Sequence, residues 1–164
     1  MSWNEKVLVI GTLIGLLLSL YTIYIEHNLS YDQNYIASCD INSQISCSKV
    51  ISSEYGHIFS ALNLVSHNSI LDRPNCEYGV LFYLMILFFY FYSPNSSMMK
   101  FFLLFTAVFG VILSCLLGYI LVYILEQICV ICYGTYLVNT VILITSVRYY
   151  LTKTTTSRKK SHEN

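Results

Sequence analysis

Four uncharged apolar runs, 7–25, 78–92, 101–125 and 127–147, alternate along the chain with polar stretches, of which only one is long. A helix needs roughly 20 apolar residues to cross the hydrocarbon core of a bilayer. The first, third and fourth runs, of 19, 25 and 21 residues, meet that by themselves. The second has 15, which at about 1.5 Å per residue falls short of a ~30 Å core. Extending it back to Pro74 repairs the deficit, since proline is tolerated in a first helical turn, and Pro94 closes it. The pattern predicts an all-α integral membrane protein, a single four-transmembrane-helix bundle over 1–151. Its spans lie near 7–25, 74–93, 101–125 and 128–149, with a cap loop over 26–73. Within that loop, 57–65 is apolar enough for a short amphipathic helix on the membrane surface or over the bundle. The tail 152–164 has no apolar residue and is expected to be disordered.

Composition agrees with the pattern. Only 11% of the 164 residues are charged and the mean hydropathy is +0.59, against about 25% charged in a soluble domain. Net charge is zero, so no nucleic-acid partner is expected. Many of the 15 tyrosines (Tyr21, Tyr24, Tyr90, Tyr92, Tyr119 and Tyr123 among them) fall near the ends of apolar runs, where amphipathic rings favour the membrane interface.

Charge placement sets the expected orientation. Lys6, Lys100, Arg148, Lys153, Arg158, Lys159 and Lys160 fall on one side of the four spans, and Lys49 and Arg73 on the other. The positive-inside rule makes the first side cytoplasmic, with both termini there and the 26–73 loop lumenal. The first run is longer than a signal-peptide core and no A-x-A-like site follows Ile25, so an uncleaved span is expected. Of two glycosylation sequons, at Asn28 and Asn95, the first is lumenal in this topology and the second cytoplasmic.

The chemistry resides in the cysteines. Cys39 and Cys47 bracket seven residues of the polar loop, and Cys129-Val-Ile-Cys132 opens the fourth apolar run. The predicted topology puts both pairs on the oxidising face. Cys129 and Cys132 are three apart on a helix and share a face, which Tyr136 continues one turn deeper, with Asn139 and Thr140 roughly on it. A helix N-terminus stabilises a thiolate, and C-x-x-C thiols are easily depressed below ~8.5. Polar groups at that depth tend to be functional. Mobile, exposed dithiols such as Cys39 and Cys47 suit exchange with a partner protein through mixed disulfides. The blander alternatives are a purely structural Cys39–Cys47 disulfide, or half a zinc site, against which the seven-residue spacing argues. Position 133 is Tyr, not the His of a c-type haem motif. Cys115 reads as a small buried hydrophobe and Cys76 as a non-catalytic thiol near the site. The four histidines have no ligand spacing, and no metal is expected.

Several stretches together resemble the vitamin K epoxide reductase family: Ser38-Cys-Asp40, Ile45-Ser-Cys-Ser-Lys-Val50, Ser69-Ile-Leu71 with Asn75, Phe82-Tyr83, and Cys129-Val-Ile-Cys132 with Thr135-Tyr136. The similarity runs through about 8–150. It implies an endoplasmic reticulum membrane enzyme that reduces vitamin K epoxide and quinone to the hydroquinone in support of glutamate γ-carboxylation, with no tightly bound cofactor. By the same resemblance, Cys132 faces the substrate and Cys129 resolves it. Cys47 exchanges with Cys129, and Cys39 meets a lumenal thioredoxin-like oxidoreductase acting in trans. The cysteines would move between Cys39–Cys47, Cys129–Cys132 and Cys47–Cys129 pairings. Asn75 and Tyr136 would hydrogen-bond the naphthoquinone oxygens. Val50, Tyr55, Tyr78, Phe82, Leu117 and Leu121 would line a pocket that also takes coumarin-type inhibitors such as warfarin. Departures from the family pattern are Tyr55 for the usual Trp, Tyr78 for Phe and Cys76 for Ser. They bear on ligand preference and inhibitor sensitivity. Two other readings remain: the same wiring run as a quinone-dependent disulfide generator for oxidative folding, and a four-span scaffold of tetraspanin type. The scaffold would need a large loop between the third and fourth spans, where this chain has a few residues.

Overall fold

The computed structural model of the chain describes residues 2–32, 34–66, 69–92 and 96–162, with side chains described as far as Thr152. Four long helices make up its body: α1 (Trp3–Tyr31), α4 (Asn75–Tyr92), α5 (Ser97–Tyr123) and α6 (Val130–His162). Two short ones, α2 (Cys47–Ile51) and α3 (Ile58–Ala61), lie in the loop after α1, with a 3-10 turn over Glu54–Gly56 between them. Among the described residues there is no strand, only one isolated bridge. All four long helices are long and apolar enough to cross a membrane. Pro94 and the Asn95 sequon lie outside the described residues.

Helix ends depart from the apolar runs for local reasons. α1 starts at Trp3, four residues before the apolar run begins at Val7, where Ser2 and Glu5 form a capping box: the Ser2 N–H donates to the Glu5 carboxylate at 2.6 Å and the Ser2 hydroxyl accepts from the Glu5 N–H at 3.4 Å. It then runs beyond Ile25 through Glu26 to Tyr31, with no glycine or proline to stop it. At 29 residues it is about 44 Å long, so its last turns stand clear of a ~30 Å core. The expected disordered tail differs too. α6 continues as helix to His162, through a stretch that likewise lacks glycine and proline.

The four helices pack in the ring order α1–α4–α5–α6, α1 and α5 each touching α4 and α6. Small residues let the backbones approach: Gly15 lies under the Tyr83 ring, Gly79 against Ser19, and Gly110 under the Phe82 ring. A buried polar chain crosses the centre. The Tyr83 hydroxyl donates to Asn139 Oδ1 at 2.9 Å, and Asn139 Nδ2 donates to the Ser114 hydroxyl at 2.8 Å, joining α4, α6 and α5. Asn139, on the face expected to carry chemistry, is therefore part of the interhelical packing. The outer surface presents Ile10, Leu17, Phe88, Phe105, Ile112 and Leu137, all largely exposed, as a lipid-facing shell must be.

The cap closes one end. Ser46 N-caps α2, its hydroxyl accepting from the Lys49 N–H. Asn63, at φ 54°, turns the chain after α3 in the left-handed region that Asn tolerates. The cap is tied down by a parallel bridge between Ile45 and Ile128, in which the Ser46 N–H donates to Ile128 O at 3.0 Å and the Ile128 N–H donates to Gln44 O at 2.8 Å. This stitch joins the loop of the first cysteine pair to the turn that precedes the second.

Candidate active site

Both cysteine pairs are closed as disulfides at the capped end, Cys39–Cys47 with Cα atoms 5.9 Å apart and Cys129–Cys132 with Cα atoms 5.2 Å apart. Cys47 and Cys129 are fully buried in one apolar cluster with Ile25, Ala37, Leu121 and Ile131, and Cys39 and Cys132 pack on its edge. Cys129 immediately precedes α6. Its Sγ accepts from the Cys132 N–H at 3.2 Å, within the first turn, where unpaired N–H groups favour negative charge on sulfur.

Asp40 organises the loop between Cys39 and Cys47. Its carboxylate accepts from the Ser48 N–H (3.0 Å), the Ser48 hydroxyl (2.6 Å) and the Ala37 N–H (3.0 Å). Burial by itself would raise its pKa. The bonds from the Ser48 hydroxyl and N–H, with Ser46 and Ala37, outweigh burial and hold the carboxyl below its ordinary value. The possible ligand atoms of Cys39, Asp40 and Cys47 lie within 4.8 Å of one another, but two of the three are sulfurs joined to each other.

A cleft of about 830 Å³, its open mouth included, lies between the cap and the upper bundle. The cap contributes Val50, Ile51, Tyr55 and Gly56; α1 contributes Ser19, Thr22 and Glu26; α4 contributes Asn75, Cys76 and Gly79. Leu117, Ile120 and Leu121 come from α5, and Cys132, Thr135 and Tyr136 from α6. Among the residues expected at a binding pocket, Val50, Tyr55, Asn75, Leu117, Leu121 and Tyr136 thus meet in one wall with Cys132.

Tyr78 and Phe82 are not in that wall. Tyr78 turns to the cap, its hydroxyl donating to Leu71 O at 2.6 Å and its ring packed edge-on to Phe59. Phe82 lies over Gly110 and against Tyr83 in the α4–α5 contact. The reason is helical phase: Asn75 and Cys76 reach the cleft, and Gly79 follows them on that face. Residues 78 and 82, one turn apart, lie together on one flank of that face and pack on Phe59 and Gly110 instead.

Asn75 has a second task. Its Oδ1 accepts from the Ile58 N–H at 3.1 Å and its Nδ2 donates to Tyr55 O at 2.6 Å, so its amide holds the cap by two backbone groups. Tyr136 differs, since among the described residues no hydrogen bond is made by its hydroxyl. Sequence reasoning missed Glu26 altogether and gave Cys76 no part in the cleft. The Cys76 thiol donates to Glu26 Oε2 at 3.1 Å, both facing the cavity.

The model of the vitamin K epoxide reductase family matches residues 6–147. The chain belongs to this family. Its match covers all four spans, the cap and both cysteine pairs, so the chain is a membrane oxidoreductase of the vitamin K class with redox-capable disulfides. Among curated relatives it is similar to vitamin K epoxide reductase complex subunit 1 of Mus musculus, 33% identical over 136 residues, covering 82% of this chain and 83% of the mouse protein. The Rattus norvegicus protein of the same name is 30% identical over 135 residues, with the same coverage of each. The family assignment agrees with the expected all-helical membrane bundle.

Proposed function

We propose that this chain reduces vitamin K 2,3-epoxide and vitamin K quinone to the hydroquinone, in support of glutamate γ-carboxylation, in the endoplasmic reticulum membrane. Both termini would be cytoplasmic and the capped end lumenal. The observation that carries the reading is the opening of Cys132 onto a cleft walled by Tyr136 and Asn75, with the second pair stitched against the first by the Ile45–Ile128 bridge. The Cys132 thiolate attacks the epoxide or quinone ring. Cys129 displaces it, forming Cys129–Cys132 and leaving two electrons on the substrate. The Tyr136 hydroxyl stabilises developing oxyanion charge, and Asn75 helps through the second N–H of its Nδ2 while the first holds Tyr55. Each such donor contributes on the order of 3 kcal/mol at comparable sites.

Cys47 then attacks Cys129, and Cys39 passes the electrons on from a thioredoxin-like protein acting in trans. Burial of Cys47 and Cys129 in one cluster supports the first exchange. Ile36 and Ile41, 75% and 69% exposed on either side of Cys39, support the second by offering a partner an apolar landing. Coumarin-type inhibitors would compete for the same cleft, with Tyr55 setting their fit.

The second reading, disulfide generation, uses the same thiols in the same direction: partner thiols are oxidised through Cys39–Cys47 and a general quinone takes the electrons. Purified protein in detergent, assayed side by side with vitamin K epoxide and with ubiquinone, separates the two. Epoxide turnover lost in Cys132→Ser supports the reductase. Ubiquinone reduction with no epoxide turnover supports the generator and overturns the reductase. No Cys132-dependent turnover of either overturns both.

A further inference from the structure

Reduction of a quinone to its hydroquinone places two protons as well as two electrons on the ring, and among the described residues the wall of the cleft holds a single carboxylate, Glu26. Glu26 stands on the last turns of α1, where groups from two other elements meet it. The Cys76 thiol at the start of α4 donates to its Oε2 at 3.1 Å, and its Oε1 lies 3.8 Å from Nε2 of His57 on the cap. The other nitrogen of that imidazole, Nδ1, lies 3.3 Å from Oδ1 of Asp72 in the loop before α4. The His57 side chain is 37% exposed and that of Glu26 28%, whereas Asp72 is only 8% exposed. The imidazole therefore stands beside the carboxylate of the cleft at the partly exposed edge of the cap, with its Nδ1 buried against a second carboxylate.

We infer that Glu26, connected to solvent through His57, is the proton-transfer group of the quinone cleft. The inference rests on the quinone-reductase reading above. The two thiols of Cys129 and Cys132 carry two protons and two electrons, and the ring oxygens take both. Glu26 accepts the proton that Cys132 gives up on becoming a thiolate. Cys129 loses its proton as the Cys129–Cys132 bond forms and two electrons pass to the ring. Glu26 returns a proton to one ring oxygen, and the proton from Cys129 goes to the other. His57 exchanges the Glu26 proton with water at its Nε2, the nitrogen beside Glu26, while Nδ1 stays buried against Asp72. Cys76 is a positioning residue: its thiol fixes the carboxylate rotamer toward the cleft. The ionisable groups that face Glu26 or share its cavity are Cys76 from α4, His57 and Tyr55 from the cap, and Cys132 and Tyr136 from α6, with Asp72 beyond His57.

A structural strut between cap and bundle would use the same contacts, so the test must read proton movement. Full-length protein in detergent is assayed with vitamin K quinone and dithiothreitol, as rate against pH, in water and in deuterium oxide. Glu26→Gln is expected to cut the rate at least tenfold and flatten the pH profile, and Glu26→Asp to recover part of both. His57→Ala is expected to be slow and to be restored by added imidazole, but not by equal ethylammonium. A wild-type rate and profile in Glu26→Gln overturns the inference, as does equal rescue of His57→Ala by ethylammonium. If Glu26→Gln does not fold, judged by loss of its Cys129–Cys132 disulfide and of stabilisation by quinone, the imidazole arm decides. Cys132-dependent activity with an indifferent Glu26→Gln removes only the relay. A wild-type protein that reduces no quinone removes the reading beneath it as well.

Discussion

Replacing Asp40 by asparagine keeps the shape of the side chain and removes its charge, and the loop between Cys39 and Cys47 should loosen measurably. In the native loop one carboxylate oxygen accepts from the Ser48 N–H and the other from the Ser48 hydroxyl and the Ala37 N–H. An amide has one acceptor oxygen, so at least one of these donors loses its partner and the bonds that survive lose their charge. Hydrogen bonds to charged groups contribute about 1.5–3 kcal/mol each. Taking the low end for this half-buried site, one lost bond and one or two weakened ones come to about 2 kcal/mol, which is about a 30-fold rise in the open population. The assay is hydrogen exchange at the Ser48 N–H, with the rate of Cys39–Cys47 reduction by dithiothreitol as a second readout. Acid should mimic the mutation. The folded pKa of Asp40 lies below its ordinary value, so the carboxylate contributes stability above the unfolded pKa and loses it as pH falls through the folded one. Opening in the wild type should therefore rise toward the acid end of the carboxylate range, while Asp40→Asn starts high and stays flat. Equal exchange rates in the two proteins near neutral pH, or an Asp40→Asn loop that still responds to acid, would refute the reasoning.

Gly11 and Gly15 lie one turn apart on α1 and should respond oppositely to alanine in detergent unfolding titrations. A Cβ at Gly11 meets Ile142 at an ordinary 3.7 Å and gains up to about 1 kcal/mol of helix propensity, whereas one at Gly15 overlaps the buried Tyr83 ring and costs about 1–3 kcal/mol. Asn75→Ala frees the Ile58 N–H and Tyr55 O together, so trypsin should cut faster at Lys49 while the bundle's unfolding midpoint moves little. Cys39→Ser should retain most dithiothreitol-driven quinone reduction yet fall at least tenfold when a thioredoxin-like protein is the reductant. Equal losses with the two reductants would remove Cys39 from the relay.

The four helices were legible because a bilayer permits few backbones, and a long uncharged run leaves the chain little choice but a helix. The ends were less so. Glu26 marks the edge of an apolar run, and a charge at such an edge reads as a boundary; here α1 carries it up beside the cleft, where it faces Cys76. The cysteine pairs were visible as short-range spacing, which survives folding unchanged. The pocket wall was not, since it depends on the phase of each helix against its neighbours. Tyr78 and Phe82, reasonable by position along α4, are taken up instead by contacts with Phe59 and Gly110. Asn75 was placed correctly at the cleft, but its grip on the cap depends on the path of Tyr55–Ile58, which no local pattern encodes.

The bridge at Ile45 and Ile128 is made by main-chain atoms, and its fidelity is a matter of counting rather than of chemistry. Substitutions at Ser43 and Gln44 leave those atoms in place, so these two positions can drift in composition without moving Cys47, whereas Asn42 holds the turn through its Oδ1, which accepts from the Gln44 and Ile45 N–H groups. A single inserted or deleted residue there is another matter. It turns the following side chains to the opposite side of the extended segment and offers Cys129 a serine, Ser46 or Ser48, in place of a sulfur. The distance from Cys39 to Cys47 should thus be fixed more strictly in length than in sequence.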